Sequence, residues 1–134
     1  MSDNSKPVFS FQTPILCVNC VPSSLEYYEK SLGFEISWAW SDEGFGKGTP
    51  TFASVCRGEA TYFLCEQGQG NPGSWSSLFL NNKEELDSIF EEYKESGAKI
   101  IEAPENKCWG MCEMLVEDLD GNTFRIGYNL ECED

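Results

Sequence analysis

The chain reads as one supersecondary unit written twice. Two glycines that close helical stretches, Gly33 and Gly97, stand 64 positions apart, and two that turn hairpins, Gly58 and Gly121, stand 63 apart. A near-constant offset across two landmarks fixes the period of a repeat and leaves few other architectures open. In the first half, residues 13–19 form an apolar, extended run in which Pro14 suits a sheet edge or a crossing point. Pro22 and Ser24 open a helix with Leu25, Tyr28 and Leu32 on one face, and Gly33 ends it. Residues 34–40 alternate as a strand, with Trp38 and Trp40 on the same side. A glycine-rich loop over 41–49 follows, then a hairpin of 50–56 and 60–65 turning at Gly58.

Residues 67–74 have the composition of a linker, after which the order starts again. Residues 75–80 predict a strand. Residues 84–96 predict a helix with Leu86, Ile89, Phe90 and Tyr93 inward. Residues 98–102, 110–116 and 122–128 predict three more strands, with a loop through Pro104 after the first. Each half is thus βαβββ, and the modules span about 12–66 and 75–130 of one domain over 1–134. The fold class is α+β. A half-sheet with one helix covers one face only, so the two tandem modules curve their mixed sheets around a cleft.

Composition then removes function classes. The formal charge is −14, from 23 acidic against 9 basic residues, which repels phosphate backbones and anionic membranes. Nucleic acid and membrane are therefore not expected partners. A cationic small molecule is favoured, although solubility accounts for part of the charge. There is no histidine, so the usual general base and the commonest metal ligand are missing.

The N-terminus lacks a basic region followed by an apolar run, and no stretch approaches the ~18 apolar residues of a membrane span. The expectation is a soluble cytoplasmic protein whose seven scattered cysteines are reduced. Cys17 and Cys20 form a C-x-x-C that leaves zinc or redox chemistry as the other reading. A matching second pair is lacking, because Cys108 and Cys112 are four apart, and Cys17 to Cys20 reads as strand rather than helix start.

Two stretches carry a family resemblance. Ser24-Leu-Glu-Tyr-Tyr-Glu-Lys-Ser-Leu-Gly-Phe34 is similar to S-x-x-F-Y-x-x-x-L-G-F, and Glu117-Asp-Leu-Asp-Gly-Asn122 is similar to a D-P-D-G-N turn, with Leu119 in place of proline. In that order, on a two-fold repeat covering about 12–130, they resemble the vicinal oxygen chelate superfamily of glyoxalase I, bleomycin-resistance proteins and extradiol dioxygenases. Pro14 and Trp109-Gly110 are most similar to the bleomycin-resistance members. That likeness implies a homodimer that exchanges its first strand and forms its clefts where halves of two chains meet.

The resemblance also says where a metal would be held. A histidine would fall near Thr13 and again between Trp75 and Ser77, and carboxylates four residues past the turn glycines, at Tyr62 and Arg125. None of these supplies a histidine or carboxylate, so neither metal nor other cofactor is expected, and no catalytic residue is assigned.

What remains is aromatic and acidic. By the resemblance, Trp38, Phe45 and Trp109 stack on a planar ligand while Asp42 and Glu43 face its cationic part. The competing reading makes the tryptophans core or dimer-interface residues; it weighs most on Trp75, then Trp40, and least on Trp109. Arg57 and Arg125 suit salt bridges better than ligand contacts. The expected function is a bleomycin-resistance-like protein that sequesters a planar, cationic small molecule without metal chemistry. The alternative is a lyase or dioxygenase of the superfamily with an atypical site. A third reading is a binder of an aromatic metabolite, with drug binding incidental.

Overall fold

The structure, a computed structural model, describes residues 6–66 and 68–132, with Cys132 by its backbone alone. The first five residues of the expected polar start, Gln67 of the linker, the Cys132 thiol and the last two residues lie outside the described residues. The first half runs β1 (Ile15–Val18), α1 (Val21–Lys30), β2 (Glu35–Ser41), β3 (Gly44–Phe45), β4 (Phe52–Arg57) and β5 (Ala60–Glu66). The second runs β6 (Trp75–Phe79), α2 (Lys83–Ser96), β7 (Lys99–Asn106), β8 (Met111–Glu117) and β9 (Thr123–Asn129), closed by a 3-10 turn at Leu130–Cys132.

The repeat holds in space. One sheet has the order β1-β5-β4-β2-β3 and the other β6-β9-β8-β7. In each, the first strand pairs parallel with the last and the remaining pairs are antiparallel. The fold is the expected α+β pair of mixed sheets. β1 lies at a sheet edge, paired with β5 of its own chain, and exposed Pro14 accepts the Phe63 N–H at 3.0 Å just before it.

Three local expectations change. The loop expected over 41–49 contains β3, which folds back so that Phe45 pairs with Trp40 and Gly44 with Ser41. The two-residue turn between them is Asp42-Glu43. The loop expected after Glu102 is strand instead: β7 continues through Pro104 to Asn106. A proline cannot donate to a ladder, and here it does not need to, because β7 is an edge strand and its register breaks between Glu102 and Glu105. Finally, β1 stops at Val18 and α1 begins at Val21 with Cys20 as its N-cap, so the C-x-x-C runs from a strand into a helix start. Pro22 in the first turn, where no N–H is needed, sets that start.

Pleat parity sorts the side chains. Leu16, Val18, Ala53, Val55, Tyr62 and Leu64 of the first sheet share one buried cluster with Met114, Val116, Phe124 and Ile126 of the second. Tyr28 and Leu25 of α1, and Leu86 and Tyr93 of α2, fill the same core. Tyr62 and Phe124 meet edge-on at 5.3 Å, so the halves touch through their core-facing sides. Each sheet keeps a second face turned from that core. No helix among the described residues is long and apolar enough to cross a membrane.

Candidate functional site

A bulge decides what the first open face carries. Ile36 pairs with Val55 but Trp38 pairs with Ser54, so Ser37 is an extra residue in β2. In a regular strand Ile36 and Trp38 would share a face; the bulge puts Trp38 and Trp40 on the open side instead. There Trp38 meets Phe45 edge-on at 5.6 Å, Phe52 at 5.4 Å and Phe63 at 5.3 Å. Trp38, Trp40, Phe45 and Phe52 line a hollow of about 470 Å³ with Thr51, Cys65, Glu66 and Gln69. Phe45 is 67% exposed at its mouth. The lining contains no basic side chain. Its one carboxylate is Glu66, whose Oε2 accepts the Val21 N–H at 2.9 Å. Cys20 offers α1 no side-chain cap, and Glu66 takes that role from the neighbouring strand. A helix start without a polar cap was the sequence signal for a partner elsewhere, and it did not say which residue.

Asp42 and Glu43 do not line this hollow. Both are exposed on the β2–β3 turn, where the Glu43 N–H donates to Ser41 Oγ at 3.1 Å. They stand on the hairpin that carries Phe45, beside the aromatic cluster rather than in it.

The second open face is built on β6, β9, β8 and β7. Trp75, Glu102, Lys107, Trp109, Glu113, Leu115 and Arg125 line a hollow of about 460 Å³. Its centre is Glu113, which is only 3% exposed. Arg125 donates to Glu113 from Nε at 3.2 Å and from Nη2 at 3.0 Å, and Trp109 Nε1 donates to the same Oε1 at 3.2 Å. The Arg125 guanidinium carbon lies 5.5 Å from the Trp109 ring centre and the Lys107 ammonium 6.0 Å from it. Lys107 is itself bound by Glu102 at 2.9 Å and Glu105 at 3.7 Å, and Glu102 first, helped by Glu105 and Glu113, holds its pKa above the usual lysine range. Gly127 sits opposite Glu113, where an added Cβ would run into the Cys112 carbonyl oxygen and come within 2.6 Å of Glu113 Cβ.

The structure therefore brings Trp38 and Phe45 together and places Trp109 in a different hollow, on the other sheet. Trp40 is half-buried in the first hollow, and Trp75 and Trp109 are 62% and 56% exposed, so none of the three belongs to the core. Arg57 and Arg125 both form salt bridges, with Glu92 at 2.7 Å and Glu113 at 3.0 Å, but Arg125 does so on an open face. Among the described residues Cys17, Cys20, Cys56, Cys65 and Cys108 are free thiols.

The positions where a metal would be held need one correction. Counting four residues from the hairpin glycine puts Tyr62 in line with Arg125, yet Tyr62 faces the core and Arg125 does not. The turns differ: Gly58 is first in a two-residue loop, whereas Gly121 stands late in the longer turn between Glu117 and Thr123. The open-face neighbour on β5 is Phe63, which has no donor atom, while Arg125 is cationic. Glu113 is the one buried carboxylate on that face, and the guanidinium already grips it. These residue types do not fit a divalent metal. Among the described residues no group of three or more Cys, Asp or Glu side chains is arranged to hold one.

Comparison with known proteins adds the following. The family model for the Glyoxalase/Bleomycin resistance protein/Dioxygenase superfamily matches residues 10–126. No curated protein sequence matches. Among solved structures, TioX from Micromonospora sp. ML1 superposes with a TM-score of 0.73 at 18% identity, over 90% of this chain and 100% of that one. A glyoxalase-related enzyme from Clostridium phytofermentans gives 0.70 at 20% identity, over 92% and 97%. A superfamily member from Sphaerobacter thermophilus DSM 20745 gives 0.68 at 20% identity, over 91% and 98%. At these identities the likeness is one of fold.

Proposed function

We propose that this chain, which belongs to the Glyoxalase/Bleomycin resistance protein/Dioxygenase superfamily, binds a flat aromatic small molecule and makes no bond changes in it. The observation that carries this reading is the open-face cluster of Trp38, Phe45, Phe52 and Phe63, with ring centres 5.3–5.6 Å from Trp38. Phe45 is exposed and the other three rings are partly so, and aromatic surface of this kind stacks a planar ligand. The thiol of the first hollow, Cys65, donates to the Glu66 backbone carbonyl, and the Glu66 carboxylate beside it accepts the Val21 N–H, so neither is set as a nucleophile and its base. The metal-ligand positions carry Phe63 and Arg125.

Each hollow is walled by one sheet. A two-walled cleft follows if the chain is a homodimer in which the first open face of one copy meets the second open face of the other. Trp38 and Phe45 then stack from one side and Trp109 from the other, with Asp42 and Glu43 near the rim. A thermal-shift and calorimetric screen tests this, using bleomycin, neutral planar aromatics and aliphatic controls of equal size. Stabilisation by planar ligands with no turnover is the expected result. Equal response to the aliphatic controls, or conversion of the ligand, refutes it.

A further inference from the structure

We propose that Arg125 is a ligand anchor, and that the molecule taken by the second open face is an aromatic carboxylate. This deepens the binding reading above and rests on it. Three observations carry it. First, the guanidinium is gripped from one side only: Nε and Nη2 donate to Glu113, and Nη1 has no hydrogen-bond partner among the described residues. A guanidinium held along its Nε–Nη2 edge still presents the Nη1–Nη2 edge, whose geometry matches a carboxylate. Second, the grip is sealed on the protein side and open on the other, because the Glu113 side chain is 4% exposed and that of Arg125 35%. Third, the same Glu113 oxygen orients the Trp109 indole, so one buried carboxylate positions both a cation and a ring at 5.5 Å from each other. An aryl carboxylate answers both at once, with its ring against Trp109 and its oxygens on the free edge.

Of the two cations in this hollow, Lys107 is paired with two carboxylates, Glu102 at 2.9 Å and Glu105 at 3.7 Å, and Arg125 with one, so an added anion is drawn to Arg125 rather than to Lys107. The net charge of −14 does not oppose a contact made here, because exposed charges beyond about 8 Å are screened at physiological ionic strength. A cationic group would instead meet the guanidinium, and finds Glu66 and no basic residue in the first hollow.

Calorimetric titration of the full chain with three probes of one ring tests the proposal: 2-naphthoate, its amide 2-naphthamide, and 2-naphthylmethylamine. Naphthoate should bind about tenfold tighter than the amide, the worth of a charge-assisted paired contact. Arg125→Gln should abolish that preference, read as the ratio of naphthoate to amide affinity within the folded variant rather than as either affinity alone. Arg125→Lys, which keeps Glu113 paired and the chain folded, should keep only part of the preference, because it retains charge without the fork. Equal affinity for naphthoate and amide, or tighter binding of the amine, overturns the anchor and leaves the aromatic-binding reading standing. So does a full preference surviving in Arg125→Lys. Failure of all three probes to bind overturns both.

Discussion

Tyr28 on α1 donates its phenol proton to Oδ2 of Asp118 at 2.6 Å, joining two residues 90 positions apart, one from each half of the repeat. Asp118 is 2% exposed and has no cationic partner among the described residues. Its charge is held by hydrogen bonds alone: from Tyr28, from the Asp120 and Asn122 N–H groups at 2.8 and 2.9 Å, and from Asn122 Nδ2 at 2.9 Å. Asn122 in turn donates to the Cys17 carbonyl and accepts the Ser74 N–H. The D-x-D-G-N turn is therefore a clasp between the modules.

Cutting the clasp gives the first prediction. Tyr28→Phe removes one of four donors and should cost roughly 1.5–3 kcal/mol, the range for a hydrogen bond to a charged group. Asp118→Ala should cost more, because it leaves the Tyr28 hydroxyl, two backbone N–H groups and the Asn122 amide short of an acceptor. Urea denaturation of the two variants gives the order. A Tyr28→Phe protein as stable as the parent would mean that the clasp contributes nothing.

Burial also sets the alkaline limit of the fold. It pushes the Tyr28 phenol well above the ordinary tyrosine range, and Tyr93, which donates to the Leu32 carbonyl at 2.8 Å, up to about 12. Raised values mean that the folded chain keeps protons which the unfolded chain releases once pH passes about 10. Stability from these groups is complete below that point and is lost as pH rises toward the folded values. The urea midpoint should be flat up to about pH 9 and fall between about 10 and 12. Tyr93→Phe should make the fall shallower; an unchanged slope would remove Tyr93 from this account.

Much of the fold was legible because it is periodic. The glycines that end helices, the alternation in β2, and the hairpin around Gly58 are local signals, and both sheets follow from repeating them. What escaped depends on neighbours across strands. The bulge at Ser37 shows only as a register break against β4, although it decides where Trp38 points. Tyr62 was matched to Arg125 by counting from glycines that hold different places in their turns. Glu113 is one of 23 acidic residues in the sequence. Only the β8–β9 register, which sets Leu115 against Arg125 and Glu113 against Gly127, reveals it as the buried centre of a face.

That register makes Gly127 a sensitive position. Gly127→Ala would press a methyl group on the Cys112 carbonyl and on Glu113. Overpacking of this kind costs about 1–3 kcal/mol. It should also displace the carboxylate that orients Arg125 and Trp109. A measured loss of stability together with altered tryptophan fluorescence is the expected pair of results. A fully stable variant with parental fluorescence would show that the strands separate easily here.

Trp109 separates binding from folding. At 56% exposure it contributes little to the core, so Trp109→Ala should cost no more than about 1.5–3 kcal/mol, mostly the lost bond to Glu113. Affinity for a planar ligand should fall several-fold, since a stacked ring adds about 0.5–1.5 kcal/mol beyond burial. The opposite pattern, a large loss of stability with unchanged affinity, would remove Trp109 from the site.

The strictest test of the cleft uses two broken proteins to make a working one. Phe45 on the first open face, and Trp75 and Trp109 on the second, are all more than half exposed in the single chain, and aromatic faces of this kind are what an interface covers. Sedimentation should therefore give a dimer at micromolar concentration. If each cleft takes Trp38 from one copy and Trp109 from the other, then Trp38→Ala and Trp109→Ala proteins each have two damaged clefts. Unfolded together, mixed in equal amounts and refolded, they form mixed dimers in which one cleft carries both mutations and the other carries neither. Random pairing makes about half of the dimers mixed, so about a quarter of all clefts should recover full affinity. If both tryptophans instead serve one site within a chain, mixing restores nothing, and a stable monomer removes the two-walled cleft altogether.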